Sequence, residues 1–369
     1  MQRKAYIMKL CLVVPCPPPY GGIANWTAMI SNYMEGNSNI DFSIINTAIS
    51  KRSTDGRTLF DRIVGSGFDM LKKGKQLNKH IKNDKLDVIH MTTSGQLAII
   101  RDIILLKIAK KHNIPIVYHL RFGRVREISK KNTKEWRLLA RAIKLASTTI
   151  AIDCTTFNEL RKRSPDSNIS YIPNPIDIRT LPQRSEMGDQ TIVFLGWVIK
   201  TKGIEELLTA WQQVYKKHNN WSLKIVGPYQ TQYYEELRAV YSFGGVRMMG
   251  EKSHDEAMEI LNRSSIFILP SYTEGFPNAV LEAMALGKPV IATRVGAIPD
   301  ILADGCGMLI RPRCTSDIAD ALDQLIVDPA QRKKLAGKAY EKLLKEYTME
   351  TVFEKYLSVW KSLCANAPT

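Results

Sequence analysis

Two carboxylates, Glu274 and Glu282, stand eight residues apart in the segment SYTEGFPNAVLEAMALGKPV, on either side of a glycine-proline turn. Pro277 suits a first helical turn, where the missing N–H is not needed, and Asn278 or Ser271 is placed to cap it. A helix that begins there leaves the backbone N–H groups from Gly275 to Ala279 to face an anion, as phosphate sites at helix N-termini do. Taken singly, each glutamate also reads as a loop or helix-surface charge; the Gly-Phe-Pro turn and the small-residue helix that follows weigh for a site. Lys202, in the segment TKG ahead of an apolar helical pattern, is the matching cation, against the plain reading of a solvated loop lysine. His119 ends the apolar run IPIVYHL and His90 lies in DVIHMTTS, both as candidate reactive groups or as packed strand-end residues. The Gly21-Gly22 pair offers backbone donors or a tight turn.

Strands and helices must position these groups. Short β-branched runs alternate with longer amphipathic stretches, and the alternation restarts past mid-chain, which predicts an α/β fold of two doubly wound domains. Strands are expected at residues 9–15, 42–47, 87–92, 115–120, 148–153 and 169–172, then at 191–196, 223–227, 246–250, 265–270, 289–293 and 307–310. The stretch IDIRTLPQRSEMGDQ has no apolar period and contains Pro182 and Gly188, as expected of a linker. The expected organisation is an N-terminal domain over 1–180, a C-terminal domain over 181–350, and a last helix over 351–369 returning toward the N-terminal domain. Ligands sit beyond the carboxyl ends of strands in open parallel sheets. Those ends carry Gly21, Gly22, His90, His119, Asn174, Gly196, Lys202, Gly227 and the Glu274 block, so a substrate cleft between two facing domains is expected.

Composition bounds the partners. The chain has 369 residues, 44% hydrophobic and 24% charged, which excludes a small module and a disordered or fibrous chain. Lys and Arg number 52 against 36 Asp and Glu, a net charge of +16 that calls for an anionic partner. Residues 1–185 hold 31 basic and 14 acidic side chains, and the remainder 21 and 22, so the whole excess lies in the N-terminal half. There FDMLKKGKQLNKHIKN sets Phe68, Leu71 and Ile81 among lysines, and EISKKNTKEWRLLARAIKLA sets Trp136, Leu139 and Ile143 beside a basic face. Such stretches suit an anionic membrane surface, or pack their apolar stripe on a sheet and solvate the lysines. Nucleic acid is not the expected partner, because no motif that reads it accompanies the charge. The six cysteines form no paired motif, and the acidic and histidine residues form no ligand set, so neither disulfides nor a metal is expected. The polar start and the short apolar runs predict a cytoplasmic protein, soluble or peripheral on the inner face of the cell membrane.

The segment SYTEGFPNAVLEAMALGKPVIAT resembles the Glu-x7-Glu signature of the retaining glycosyltransferases of family 4, whose GT-B fold has two facing Rossmann-like domains. The likeness extends over essentially the whole chain, through PPPYGGIANW, DVIHMTTS, IVYHLRFG, IPNPID, FLGWVIKTKGIEELLTAW and VGP. It implies a nucleoside-diphosphate sugar as donor, retention of anomeric configuration, and no cofactor or metal. By position, Glu282 resembles the glutamate on the donor ribose hydroxyls, which fits the capacity of a carboxylate to accept two hydrogen bonds from a diol. Glu274 resembles the one near the donor sugar, Gly275 and Phe276 the residues whose N–H groups meet sugar or phosphate, and Lys202 the lysine on the diphosphate. His119 matches a histidine beside the reacting centre, giving His119, Glu274 and Lys202 as catalytic candidates. Gly22, Gly196, Gly227 and Asn278 complete the donor side.

Members often carry Gly-Arg where this chain has Gly196-Trp197. Lys200 stands near as a substitute cation, though it lacks the bidentate fork of arginine, and Arg121, Arg124 and Arg126 of RFGRVR are others. Gly21, His90, Arg121 and Arg124 are the candidates for acceptor or phosphate contacts. The implied acceptor is lipid-linked or a polysaccharide, in bacterial surface-glycan assembly. The rival readings are another GT-B activity, such as sugar-nucleotide epimerisation or transfer to a small acceptor, and a silent sugar-nucleotide-binding subunit.

Overall fold

The computed structural model describes residues 6–18, 21–36, 39–48, 59–185, 188–241 and 244–365, and for 59–70 the backbone alone. The chain divides into two compact units, one formed by Met1–Pro173 with Phe353–Thr369 and the other by Asn174–Val352.

Among the described residues, the first unit holds the strands β1 (Met8–Val14), β2 (Ile40–Asn46), β3 (Val88–Thr93), β4 (Ile116–Leu120), β5 (Thr148–Ala151) and β6 (Ile169–Tyr171). They form one parallel sheet in the order β2-β1-β3-β4-β5-β6. The helices between them are α1 (Gly22–Glu35), α2 (Leu59–Asp84), α3 (Ala98–Lys111), α4 (Val125–Lys130), α5 (Lys134–Leu145) and α6 (Cys154–Arg163). Every residue of β3, β4 and β5 is buried, because helices cover both faces of such a sheet and its strands read as continuous apolar runs rather than alternating ones.

The second unit repeats the plan with β7 (Asp189–Leu195), α7 (Ile204–Lys217), β8 (Ser222–Val226), α8 (Thr231–Val240), β9 (Val246–Gly250), α9 (His254–Arg263) and β10 (Ser264–Leu269). It continues through α10 (Asn278–Ala285), β11 (Val290–Thr293), α11 (Ile298–Ile301), β12 (Met308–Ile310), α12 (Thr315–Val327) and α13 (Pro329–Glu346). The sheet order is β12-β11-β10-β7-β8-β9, again parallel. This is the dinucleotide-fold order, in which the strand sequence reverses between the first strand, β7, and the fourth, β10. A last helix, α14 (Met349–Ala365), begins in the second unit and belongs to the first from Phe353 onward.

All twelve strands lie within two residues of their expected positions. The expected boundaries at 180 and 350 move to 173 and 352. Hydrogen bonds explain the shift: Ile176 N–H donates to Tyr347 O at 2.8 Å and Met349 N–H to Ile176 O at 2.9 Å, fastening the start of the expected linker to the second unit. That linker also carries a 3-10 turn at Ile178–Thr180 and the start of β7, while its residues 186 and 187 lie outside the described ones.

The two basic amphipathic stretches are corrected in part. Trp136, Leu139 and Ile143 are core residues of the first unit, as are Leu77 and Ile81 of α2, so these stripes pack inward. Leu71 is exposed, and the side chain of Phe68 lies outside the described residues. Among the described residues no helix is long and apolar enough to cross a membrane.

Candidate functional site

At the reversal point of the second sheet, the loops leaving β7 and β10 come together. Gly203 makes this approach possible. Its φ of 72° is left-handed, and a Cβ there would overlap the carbonyl of Pro270, just past β10. Tyr272 N–H then donates to Thr201 O at 2.8 Å, tying one loop to the other. The same kind of approach explains Gly227, which has φ 146° and whose Cβ would overlap the Gly196 carbonyl where β7 and β8 end; Gly196 itself is set by its φ of 151°.

Three side chains converge on this junction. Lys202 Nζ lies 2.6 Å from Glu274 Oε1, and Ser271 Oγ donates to the same oxygen at 2.6 Å. The pair is largely sheltered, with the lysine and glutamate side chains 24% and 10% exposed. Ser271 is itself fixed, since its carbonyl accepts from Thr293 Oγ1 at 2.6 Å. Its hydroxyl therefore orients the carboxylate and does not cap α10, as the sequence had led us to expect. Asn278 does not cap either. The residue before α10 is Pro277, with no side-chain cap, and Asn278 Oδ1 accepts from Asn174 Nδ2 at 3.2 Å. Among the described residues, the N–H groups of Gly275, Phe276, Asn278 and Ala279 have no protein acceptor. The loop holding them is anchored where Ala297 N–H donates to Gly275 O at 2.9 Å and where Phe276 packs 6.2 Å from the Tyr347 ring.

Further along α10, Glu282 Oε1 meets His254 Nε2 at 3.2 Å. The hydrogen bond to Glu282 raises the His254 pKa above its ordinary value against an opposing effect of burial. Sequence reasoning missed His254, which lies 28 residues from its partner. The only local signal was the capping box that starts its helix, Ser253 with Glu256. Lys200 is exposed and pairs with Glu205 at 3.3 Å, and Trp197 is 63% exposed.

The candidates of the first unit lie elsewhere in that unit's own fold. His90 and His119 are fully buried on β3 and β4, with His90 Nε2 3.1 Å from His119 Nδ1. Burial first, and then the Arg121 charge, push His90 down to about 3 and hold His119 well below the ordinary histidine value. Trp26, Tyr356 and Trp360 close around them. These three aromatics were not picked out from sequence, although Tyr356 and Trp360 have the one-turn spacing of a buried helix face. Arg121 lies over the Trp26 ring at 4.9 Å, and burial lowers its pKa to about 10. Arg124 pairs with Glu135 at 3.0 Å. Gly21 precedes α1 in an extended conformation, φ 175°, and a Cβ at Gly21 or Gly22 would touch nothing, so no tight turn demands glycine at either position. Among the described residues no three His, Cys, Asp or Glu side chains are grouped to hold a metal ion.

Comparison with known proteins fits both units. Residues 20–180 match the family described as Glycosyltransferase Family 4, and residues 179–342 the family described as Glycosyl transferases group 1. The phosphatidylinositol N-acetylglucosaminyltransferase gpi3 subunit of Schizosaccharomyces pombe is 27% identical over 217 residues, covering 58% of this chain and 47% of that one. This chain thus spans about half the length of that relative. In structure it is similar to sucrose-phosphate synthase from Thermosynechococcus elongatus, with a TM-score of 0.78 and 17% identity over 97% of this chain and 99% of the other. HepE of Anabaena in complex with UDP gives a TM-score of 0.73 and 15% identity over 96% and 100%. The two family matches adjoin and together run from residue 20 to residue 342, and with the paired parallel-sheet domains they show that the chain belongs to the glycosyltransferases of the GT-B fold.

Proposed function

We propose that the protein is a retaining, metal-independent glycosyltransferase. It takes a sugar from a nucleoside-diphosphate donor to a lipid-linked or polysaccharide acceptor in bacterial surface-glycan assembly, working peripherally on the cytoplasmic face of the membrane. The observation that carries this reading is the Lys202–Glu274–Ser271 junction at the reversal point of the second sheet, beside the open N-terminus of α10. An ammonium and a fan of N–H groups at one place are what a leaving diphosphate needs, since they stabilise charge that develops as the glycosidic bond breaks. Glu282 accepts from the ribose diol, and Glu274, oriented by Ser271, lies at the sugar. Retention follows from attack on the face that the diphosphate leaves. HepE, solved with UDP, and the yeast relative, named for phosphatidylinositol, both accord with this class of donor and acceptor.

A thermal-shift screen of the full chain against UDP-, GDP- and ADP-sugars tests the reading, because a ligand of the native state raises its apparent stability by mass action. A shift with one base and transfer that persists in EDTA are expected. No shift with any sugar nucleotide, or activity abolished by EDTA and restored by a divalent ion, would count against it. The exposed Trp197 favours a second reading, a binding subunit without turnover; a shift without donor hydrolysis or transfer would select it.

A further inference from the structure

Glu282 stands four residues into α10, about 6 Å along the axis from the N–H groups that open at Asn278. Helical side chains lean toward the start of their helix, and a bare carboxylate leaning that way opposes an anion held there. His254 answers this charge. It is the first residue of α9, just past the carboxyl end of β9, and its Nε2 lies 3.2 Å from Glu282 Oε1. A carboxylate only accepts, so the histidine donates. Glu282 Oε2 has no hydrogen-bond partner among the described residues, so one oxygen is held and the other is open. The capping box fixes the backbone that carries His254: Ser253 N–H donates to Glu256 Oε2 at 3.0 Å, and Lys252 Nζ lies 3.7 Å from Glu256 Oε1. Glu256 is thereby engaged elsewhere. Asp255 Oδ1 is 3.8 Å from His254 Nδ1, on a side chain 95% exposed to water. Strands β7 and β10, which also pack on α9, bring no carboxylate within 4.0 Å of the ring among the described residues.

We infer that His254 is a positioning residue for the donor: it holds Glu282 by Oε1 so that Oε2 meets the ribose hydroxyls, and as an imidazolium it cancels the carboxylate charge behind the diphosphate. For its ligand this rests on the glycosyltransferase reading; the contact itself does not. Donor affinity then depends on pH. The imidazolium is complete below the ordinary histidine value and is lost as pH rises through the raised one, so the donor binds more tightly on the acid side. A neutral imidazole still donates from Nε2, and the loss is therefore partial, about fivefold, the order of an ion pair that keeps some solvent.

Two measurements test this. In the first, NMR of the full chain labelled at its six histidines follows the His254 ring without ligand, the signal being assigned with His254→Gln. Its titration midpoint should lie above the ordinary value in the wild type and fall back in Glu282→Gln. In the second, calorimetry follows UDP-glucose, GDP-mannose and ADP-glucose on either side of that midpoint; as diphosphate diesters they do not themselves titrate near neutrality. The one that binds should bind about fivefold more tightly on the acid side. His254→Gln keeps a neutral donor to Oε1 and should show the wild type's alkaline affinity at every pH, whereas His254→Ala should be weaker still. Wild-type affinity independent of pH, or the same slope in folded His254→Gln, overturns the role while the glycosyltransferase reading stands. No binding by any of the three overturns that reading and the donor role together. An ordinary midpoint that Glu282→Gln does not move overturns the pair itself.

Discussion

The ammonium of Lys202 cannot give its full charge both to Glu274, 2.6 Å away, and to a diphosphate. Glu274→Gln should therefore tighten binding of the bare nucleoside diphosphate severalfold, by about 1 kcal/mol, the order measured for ion pairs that keep some solvent. The same variant should lose transfer if, as proposed, that carboxylate lies at the sugar. Calorimetry with UDP and GDP set against turnover reads both, and weaker nucleotide binding would remove the competition. Glu282→Ala should weaken donor binding by about 1.5–3 kcal/mol, the range for a hydrogen bond to a charged group. His254 adds a pH dependence. Its pKa is raised in the folded chain by Glu282, so the stabilisation it brings is complete below the ordinary histidine value and is lost as pH rises through the raised one. The melting difference between wild type and His254→Gln should accordingly shrink from acid to alkaline pH, and a difference independent of pH would dismiss the pair. Glu274, Glu282 and Lys202 were legible in the sequence because strand ends and a helix start mark them locally. Their partners Ser271 and His254 were not, since a hydroxyl's choice between capping and orienting a carboxylate is decided by tertiary packing.

Helix α5 shows what one-dimensional pattern can and cannot say about an element. Its period places Trp136, Leu139, Ala142 and Ile143 on one side and Lys134, Arg137, Arg141 and Lys144 on the other, and Thr133 caps it by accepting from Trp136 N–H at 3.1 Å. The pattern fixes two faces but not what covers the apolar one. In the structure α5 packs on α3, and α3 on α2, so the stripe is core. The strands were readable to within two residues because parallel, doubly covered strands are short continuous apolar runs between polar breaks. The polar composition of the linker does not show the two backbone hydrogen bonds that tie its start to the end of the second unit. If the stripe is core, Leu139→Ala should cost about 2–5 kcal/mol of stability and Thr133→Ala about 1 kcal/mol. Neither should change binding to vesicles. Calorimetric melting beside vesicle co-sedimentation checks this, and a folded Leu139→Ala with normal stability and lost vesicle binding would put the stripe at the surface after all.

At the scale of the whole molecule, the charge excess in the first 185 residues needs a counterpart, and inward packing of the apolar stripes narrows its nature. With Trp136, Leu139 and Ile143 unable to insert into lipid and Leu71 the exposed apolar side chain of the two stretches among the described residues, attraction to an anionic surface falls mainly to the lysines and arginines. Lys72, Lys75, Lys130, Lys131, Lys134, Arg137, Arg141 and Lys144 are all exposed, and Lys131 is the member of this set paired at 3.0 Å, with Glu127. A cation near a negative leaflet contributes about 1 kcal/mol, and the attraction decays within a Debye length of about 10 Å at moderate salt. Association built this way is reversible and falls steeply with ionic strength, in contrast to anchoring by buried tryptophan, which salt would leave in place. The full chain should sediment with phosphatidylglycerol vesicles at low salt, release at high salt, and ignore neutral vesicles. Replacing Lys72, Lys73, Lys75, Lys130, Lys131 and Lys134 with Gln should abolish the low-salt binding without lowering the melting temperature, because none of these lysines is among the core residues. Salt-resistant sedimentation, or equal binding by the variant, would assign the positive charge to another anion, for which phosphates on the acceptor itself have the matching chemistry.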